Sequence, residues 1–169
     1  MISQVGVALG SNQGDRLKHL RAALSYLETI SKDPVRYSCV YETEPIGCPS
    51  GSPSFLNAVC EITYQKDKSA LLELLRQMRE FERRLGRPET YPKNAPRFLD
   101  MDLLYAGDFV LQTEELVLPH PRILERRFVL QPLCEIRPDL ILPGSNQTVK
   151  ALLALLDETR DVRLYNDVL

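Results

Sequence analysis

Residues 98–105, FLDMDLLY, carry two carboxylates, Asp100 and Asp102, at alternate positions of an otherwise apolar stretch. In a strand, side chains at i and i+2 leave the same face about 6.5–7 Å apart. Two like charges that close, set among Leu99, Met101, Leu103 and Leu104, repel unless something cationic lies between them. Hard oxygen donors suit Mg²⁺, which takes one or two carboxylates and fills its shell with water and phosphate oxygens. Two such ions about 3.5–4 Å apart would clamp a phosphoryl group for in-line displacement. The residue types leave one alternative open: one Asp caps a turn or pairs with Arg97 while the other faces solvent.

The flanking sequence favours the metal. Arg87, Lys93 and Arg97 precede the pair, and His120, Arg122, Arg126 and Arg127 follow it. Metals bridging phosphate oxygens, with guanidinium forks taking the remaining charge, are the parts of a polyphosphate site. His120 lies between two prolines in LPHPR, on constrained extended backbone, where it could hydrogen-bond a phosphate. Gly10–Gly14 lacks the GK[ST] ending of a P-loop and the GxGxxG spacing of a dinucleotide fold, so its glycines shape a strand-to-helix turn. Ser11 and Asn12 there are candidates to cap the helix or orient a neighbouring loop. Further along, Phe55 offers a stacking plane and Asn57 an edge-on amide for a flat heterocycle.

Period-two residues Val5, Val7 and Leu9 predict a first strand over 2–9. Leu17, Leu20, Leu24, Leu27 and Ile30 follow with helical spacing. Val35–Tyr41 and Phe55–Tyr64 read as strands, and Ser69–Leu85 as a helix whose stripe is Leu71, Leu72, Leu75, Met78, Phe81, Glu82 and Leu85. Gly86 is placed as its C-terminal cap. Gly107-Asp108 suggests a hairpin turn into Phe109-Val110-Leu111. Short helices are expected within 123–136 and a last one over 148–156, with a loosely held polar tail beyond. Interspersed elements with hairpin-like pairs give an α+β class. No repeat or linker interrupts 1–159, expected as one domain, with 160–169 as the tail.

With 169 residues, 44% hydrophobic and a formal net charge of -2, disorder and general nucleic-acid binding are excluded. No run approaches the ~18 apolar residues of a membrane span. The start shows no signal-peptide pattern, and Cys39, Cys48, Cys60 and Cys134 have neither CxxC nor zinc-ligand spacing, so reduced thiols in a cytoplasmic protein are expected.

VALGSNQGD, YETEPIG, FLNAV, FERRLGR, PRFLDMDLLYAG and LPHPRILERRFVLQPL, in that order, resemble the 6-hydroxymethyl-7,8-dihydropterin pyrophosphokinase family from about Val5 to Asp157. The resemblance implies a ferredoxin-like α+β core, an antiparallel sheet covered by helices in three layers. It implies transfer of the β,γ-pyrophosphoryl group of ATP to the pterin hydroxymethyl with two Mg²⁺, releasing AMP, in folate synthesis. By the same carry-over, Asp100 and Asp102 are metal ligands, and Arg87 and Arg97 bind the transferred phosphates. Glu82, Lys93, Leu103, His120 and Arg126 line the ATP side. Thr43, Glu44, Ile46, Phe55, Asn57 and Phe128 form the pterin pocket, with the ring between Phe55 and Phe128. Asn94 stands where members often carry Trp, and the chain has no Trp. Its expected partners are the two small-molecule substrates, and a monomer is expected. The rival readings are a metal-dependent nucleotidyltransferase and a non-catalytic pterin- or nucleotide-binding module.

Overall fold

A computed structural model describes residues 1–45, 51–87, 96–156, 162–166 and 169. In chain order the elements are β1 (Ile2–Ser11), α1 (Arg16–Ile30), β2 (Arg36–Tyr37), β3 (Val40–Thr43), β4 (Phe55–Gln65) and α2 (Lys68–Arg84). There follow β5 (Asp100–Ala106), β6 (Leu111–Gln112), β7 (Val117–Leu118), a 3₁₀ turn (Ile123–Glu125), α3 (Arg127–Ile136), α4 (Val149–Leu155) and β8 (Val162–Asn166). The main sheet runs β5-β1-β4-β3-β8, with β2 also paired to β4, and each of these pairings is antiparallel.

Sequence patterning explains the layers. Val5, Val7 and Leu9 of β1 point to one face and pack with Leu20, Leu24 and Leu27 of α1 and Leu71, Leu74 and Met78 of α2. The other face carries Val59, Leu104 and Tyr105, covered by Val129, Leu130 and Leu133 of α3 and Val149 of α4. The result is a three-layer α+β fold. Each fully buried leucine contributes roughly 1.5–3 kcal/mol. Side chains of Asp15, Asp67 and Thr148 cap α1, α2 and α4 by accepting a backbone N–H three residues on. Gly86 ends α2 with φ 101°, and a Cβ there would lie 3.1 Å from the Phe98 ring, so a residue without a side chain is needed.

Four expectations change. The buried stripe of α2 runs through Leu74, with Leu72 only partly buried. The segment 35–41 divides into two short strands, β2 and β3, both on β4. At Gly107-Asp108 the chain makes only a bridge from Ala106 to Phe109; β6 pairs instead with β7 in a separate two-stranded sheet. The segment read as a loosely held tail contains β8, hydrogen-bonded along β3. Its side chains are largely exposed, so an apolar pattern does not mark it, and backbone pairing holds it. None of Cys39, Cys60 and Cys134 is in a disulfide, and Cys48 lies outside the described residues. Among the described residues no helix is long and apolar enough to cross a membrane.

Candidate active site

Register places the chemistry on one face. Gly10 pairs with both Asn57 and Asp100, and Ala8 with both Val59 and Asp102. Directly opposed residues share a face, so both aspartates and Asn57 lie on the face that carries Val59, toward α3. Small residues at 8 and 10 leave the floor between them open: a Cβ on Gly10 would meet Asn57 Oδ1 at 3.6 Å, the Phe55 ring at 3.8 Å and Asp100 Cβ at 3.9 Å.

Cations surround the aspartates. Arg87 Nη1 donates to Asp100 Oδ1 at 3.0 Å, and Arg97 Nε lies 3.6 Å from Asp100 Oδ2. Arg126 Nη1 lies 3.6 Å from Asp102 Oδ2. Burial, and then the charge of Asp102, push the Asp100 carboxyl above its ordinary range, against the pull of Arg97 and Arg87. Arg97 Nε is buried without a hydrogen bond. Among the described residues no three His, Cys, Asp or Glu side chains cluster as a metal cage. Two carboxylates on one open face, one of them destabilised by the other's charge, are a donor set that fits Mg²⁺ completed by water and phosphate.

Glu82 is 3% exposed. Its Oε1 accepts the Met101 N–H at 2.6 Å, and its other oxygen pairs with Arg87 Nη1. Burial raises its pKa to about 7, with Arg87 opposing and Asp100 adding to the rise. The carboxylate therefore sits behind Arg87 and steers that guanidinium onto Asp100. Leu103, expected on the ATP side, is 2% exposed and packs in the α1/α2 core. Alternation along β5 turns its side chain away from the face of Asp100 and Asp102, so only its backbone is left to serve there.

His120 follows the cis Leu118–Pro119 bond by one residue. Its N–H donates to the Leu104 carbonyl at 2.7 Å, and its Nδ1 accepts the Arg122 N–H at 3.1 Å. Burial and the charges of Arg126 and Arg122 lower its pKa to about 4. The imidazole is thus neutral at physiological pH with its proton on Nε2, a donor available to a phosphate oxygen.

Toward β3, Thr43 pairs with Phe55, and Asn57 Nδ2 donates to Thr43 Oγ1 at 2.8 Å. Both polar side chains are buried. The Arg97 guanidinium lies 5.7 Å from the Phe55 ring centre, and that of Arg126 lies 5.6 Å from that of Phe128. Glu44 is exposed at the edge of this region, and Phe128 is half-buried on α3. Ile46 and Lys93 lie outside the described residues. The structure thus gathers Arg87, Arg97, Asp100, Asp102, Arg126, Phe55, Asn57 and Thr43.

Asn12 is fully buried and orients loops, while Asp15 takes the cap of α1. Its Oδ1 accepts the Arg97 N–H at 2.8 Å, its N–H donates to the Arg97 carbonyl at 3.1 Å, and its Nδ2 reaches the Pro53 carbonyl at 3.4 Å. No local spacing in the sequence relates Arg16, Glu42 and Ser54, whose signal there is charge of opposite sign at distant positions; the fold brings the three together.

A model of the 7,8-dihydro-6-hydroxymethylpterin-pyrophosphokinase family matches residues 6–138. The 2-amino-4-hydroxy-6-hydroxymethyldihydropteridine pyrophosphokinase of Bacillus subtilis is 41% identical over 77% of this chain and 75% of its own. The protein of that name in Haemophilus influenzae is 33% identical over 94% and 96%. Folic acid synthesis protein fol1 of Schizosaccharomyces pombe is 37% identical over 95% of this chain, which spans only 21% of that relative, and the chain likewise spans 27% of an Arabidopsis thaliana folate synthesis bifunctional protein. Plasmodium falciparum HPPK-DHPS, crystallised with pterin and p-hydroxybenzoate, shares the fold with TM-score 0.64 at 15% identity, over 91% of this chain and 42% of that one. With its sheet, its paired aspartates and these relatives together, the chain belongs to the 7,8-dihydro-6-hydroxymethylpterin-pyrophosphokinase family.

Proposed function

We propose that the protein transfers the pyrophosphoryl group of ATP to the hydroxymethyl of 6-hydroxymethyl-7,8-dihydropterin, releasing AMP, as a step of folate synthesis. The observation that carries this is the single sheet face on which Asp100 and Asp102, with Arg87, Arg97 and Arg126 against them, adjoin Phe55 and Asn57 across Gly10. The pyrophosphokinase names of the Bacillus and Haemophilus relatives support it.

In this reading Asp100 and Asp102 would hold two Mg²⁺, whose positive charge would offset that of the phosphate oxygens. Arg87 and Arg97 take the charge of the transferred group, and the Arg97 guanidinium also lies 5.7 Å from the ring centre of Phe55, which in this reading stacks on the pterin. Arg126 and neutral His120 bind the nucleotide side. Asn57 and Thr43 present amide and hydroxyl groups to the edge of the pterin, and Phe55 and Phe128 its two faces, with Glu44 and Ile46 added by family likeness; Lys93 is assigned to the ATP side. Catalysis is positioning and electrostatic stabilisation at the β-phosphorus. The protein is assigned to the cytoplasm and to a monomeric state.

The test is the identity of the products. With ATP, Mg²⁺ and the pterin alcohol, AMP and a pterin diphosphate are expected in equal amounts. Free pyrophosphate would mark a nucleotidyltransferase, and no nucleotide turnover would mark a binding module.

A further inference from the structure

Resting on that reading, the geometry points to a brace outside the substrate site that holds the pterin wall in place. We propose that Arg16, Glu42 and Ser54 are positioning residues for Phe55 and Thr43. Arg16 is the first residue of α1, and its Nη1 donates to Glu42 Oε1 at 2.8 Å, to the Ser54 carbonyl at 2.9 Å and to Ser54 Oγ at 2.8 Å. The Ser54 hydroxyl in turn donates to Glu42 Oε1 at 2.7 Å. The hydroxyl of Ser54 and the guanidinium of Arg16 keep the Glu42 carboxyl below its ordinary range, so the pair is charged at neutral pH.

The placement gives these contacts a purpose. Thr43 directly follows Glu42, and Phe55 directly follows Ser54; the two pair across β3 and β4. The chain leaves the sheet after Thr43 and re-enters at Phe55. Alternation puts the Glu42 side chain on the face opposite Thr43, so the brace ties both ends of this excursion from behind the wall. The C-terminal strand completes it: Glu42 pairs with Arg163 and Thr43 with Val162, and the Tyr165 ring centre lies 5.7 Å from the Arg16 guanidinium. That strand lies outside the residues matched by the family model. The two N–H groups of Arg16 Nη1 are shared among three acceptors, so one of them is bifurcated, and the charge on the guanidinium strengthens the set.

The test compares wild type, R16A and R16K by steady-state kinetics and by amide hydrogen exchange over residues 51–57. In R16A, KM for the pterin alcohol is expected to rise about tenfold, equivalent to about 1.4 kcal/mol, while KM for ATP stays within about twofold. Exchange over 51–57 is expected to quicken about tenfold with exchange in β1 and β5 unchanged. R16K, whose ammonium has three donors, should recover most of both effects. An unchanged pterin KM overturns the proposal, as does a rise in both KM values together with a loss of protection throughout the sheet. If wild type shows no pterin-dependent turnover, the catalytic reading falls, and the exchange experiment alone decides the brace: unchanged rates over 51–57 in R16A overturn it.

Discussion

The side chain of Asn12 and the backbone of Arg97 form a closed pair: Oδ1 accepts the Arg97 N–H at 2.8 Å while the Asn12 N–H donates to the Arg97 carbonyl at 3.1 Å. The third contact of Asn12, to the Pro53 carbonyl, ties the approach to Phe55 to the same point. Arg97 then reaches both Asp100 and Phe55. One buried amide therefore fixes the Arg97 backbone from which its side chain reaches Asp100 and Phe55. Replacing Asn12 by Ala strands the Arg97 N–H, and losing a buried partner costs about 1–3 kcal/mol. Chemical denaturation of N12A should show that loss, with kcat falling more than KM for ATP rises.

Removing a carboxylate of the pair should silence the enzyme and spare the fold. D100A and D102A are expected to retain no more than a few per cent of turnover, since a metal held by one of two carboxylates no longer sets the phosphate geometry. Thermal unfolding should remain cooperative in both. For D102N, removing the charge that raises the Asp100 carboxyl should lower that carboxyl's pKa toward the ordinary value, read by carbon NMR of metal-free protein.

Glu82 separates steering from contact. E82A removes the buried acceptor of the Met101 N–H and leaves Arg87 without its buried partner. Breaking a buried ion pair from one side costs about 3–5 kcal/mol. E82Q keeps an oxygen for Met101 but turns an amide NH2 toward the Arg87 guanidinium, so it too loses the ion pair and should be destabilised, though less than E82A. Both should lose kcat through a displaced Arg87, so a kcat unchanged in E82Q contradicts the steering role.

His120 provides the pH dependence. Its folded pKa of about 4 lies below the ordinary 6.5, so between these values the unfolded chain binds more protons at this site. Stability contributed by His120 is therefore complete above pH 6.5 and is lost as pH falls toward about 4. Proton NMR should place the imidazole midpoint near 4, and in H120N the stability of the protein should fall less steeply over that window. A midpoint near 6.5 would contradict the burial and cation effects described.

What the sequence made legible follows from where side-chain periodicity is tied to burial. The strand of Asp100 and Asp102, the helix ending at Gly86 and the strand from Phe55 carry strong periods, and each formed. The paired carboxylates were legible because their repulsion needs no knowledge of distant residues. Strand β8 was not, because Arg163, Leu164 and Tyr165 face solvent and the strand is held by backbone bonds to β3. Glu82 fell on the correct stripe, yet its burial requires the Met101 N–H and Arg87, which only the fold brings together. Leu103 differs from its neighbours at 100 and 102, which face the site: alternation turns its side chain into the core and leaves only its backbone toward the site. The hairpin expected from Gly107-Asp108 failed because β6 found its partner in β7 beyond it.

In the proposed reaction Asp100 and Asp102 together grip divalent cations that hold the phosphates of ATP. Crystals grown with Mn²⁺ and a non-hydrolysable ATP analogue test it most directly through anomalous scattering. Two peaks are expected, each within about 2.5 Å of an oxygen of Asp100 or Asp102 and of a phosphate oxygen. Nucleotide bound with no anomalous peak beside either aspartate would contradict it.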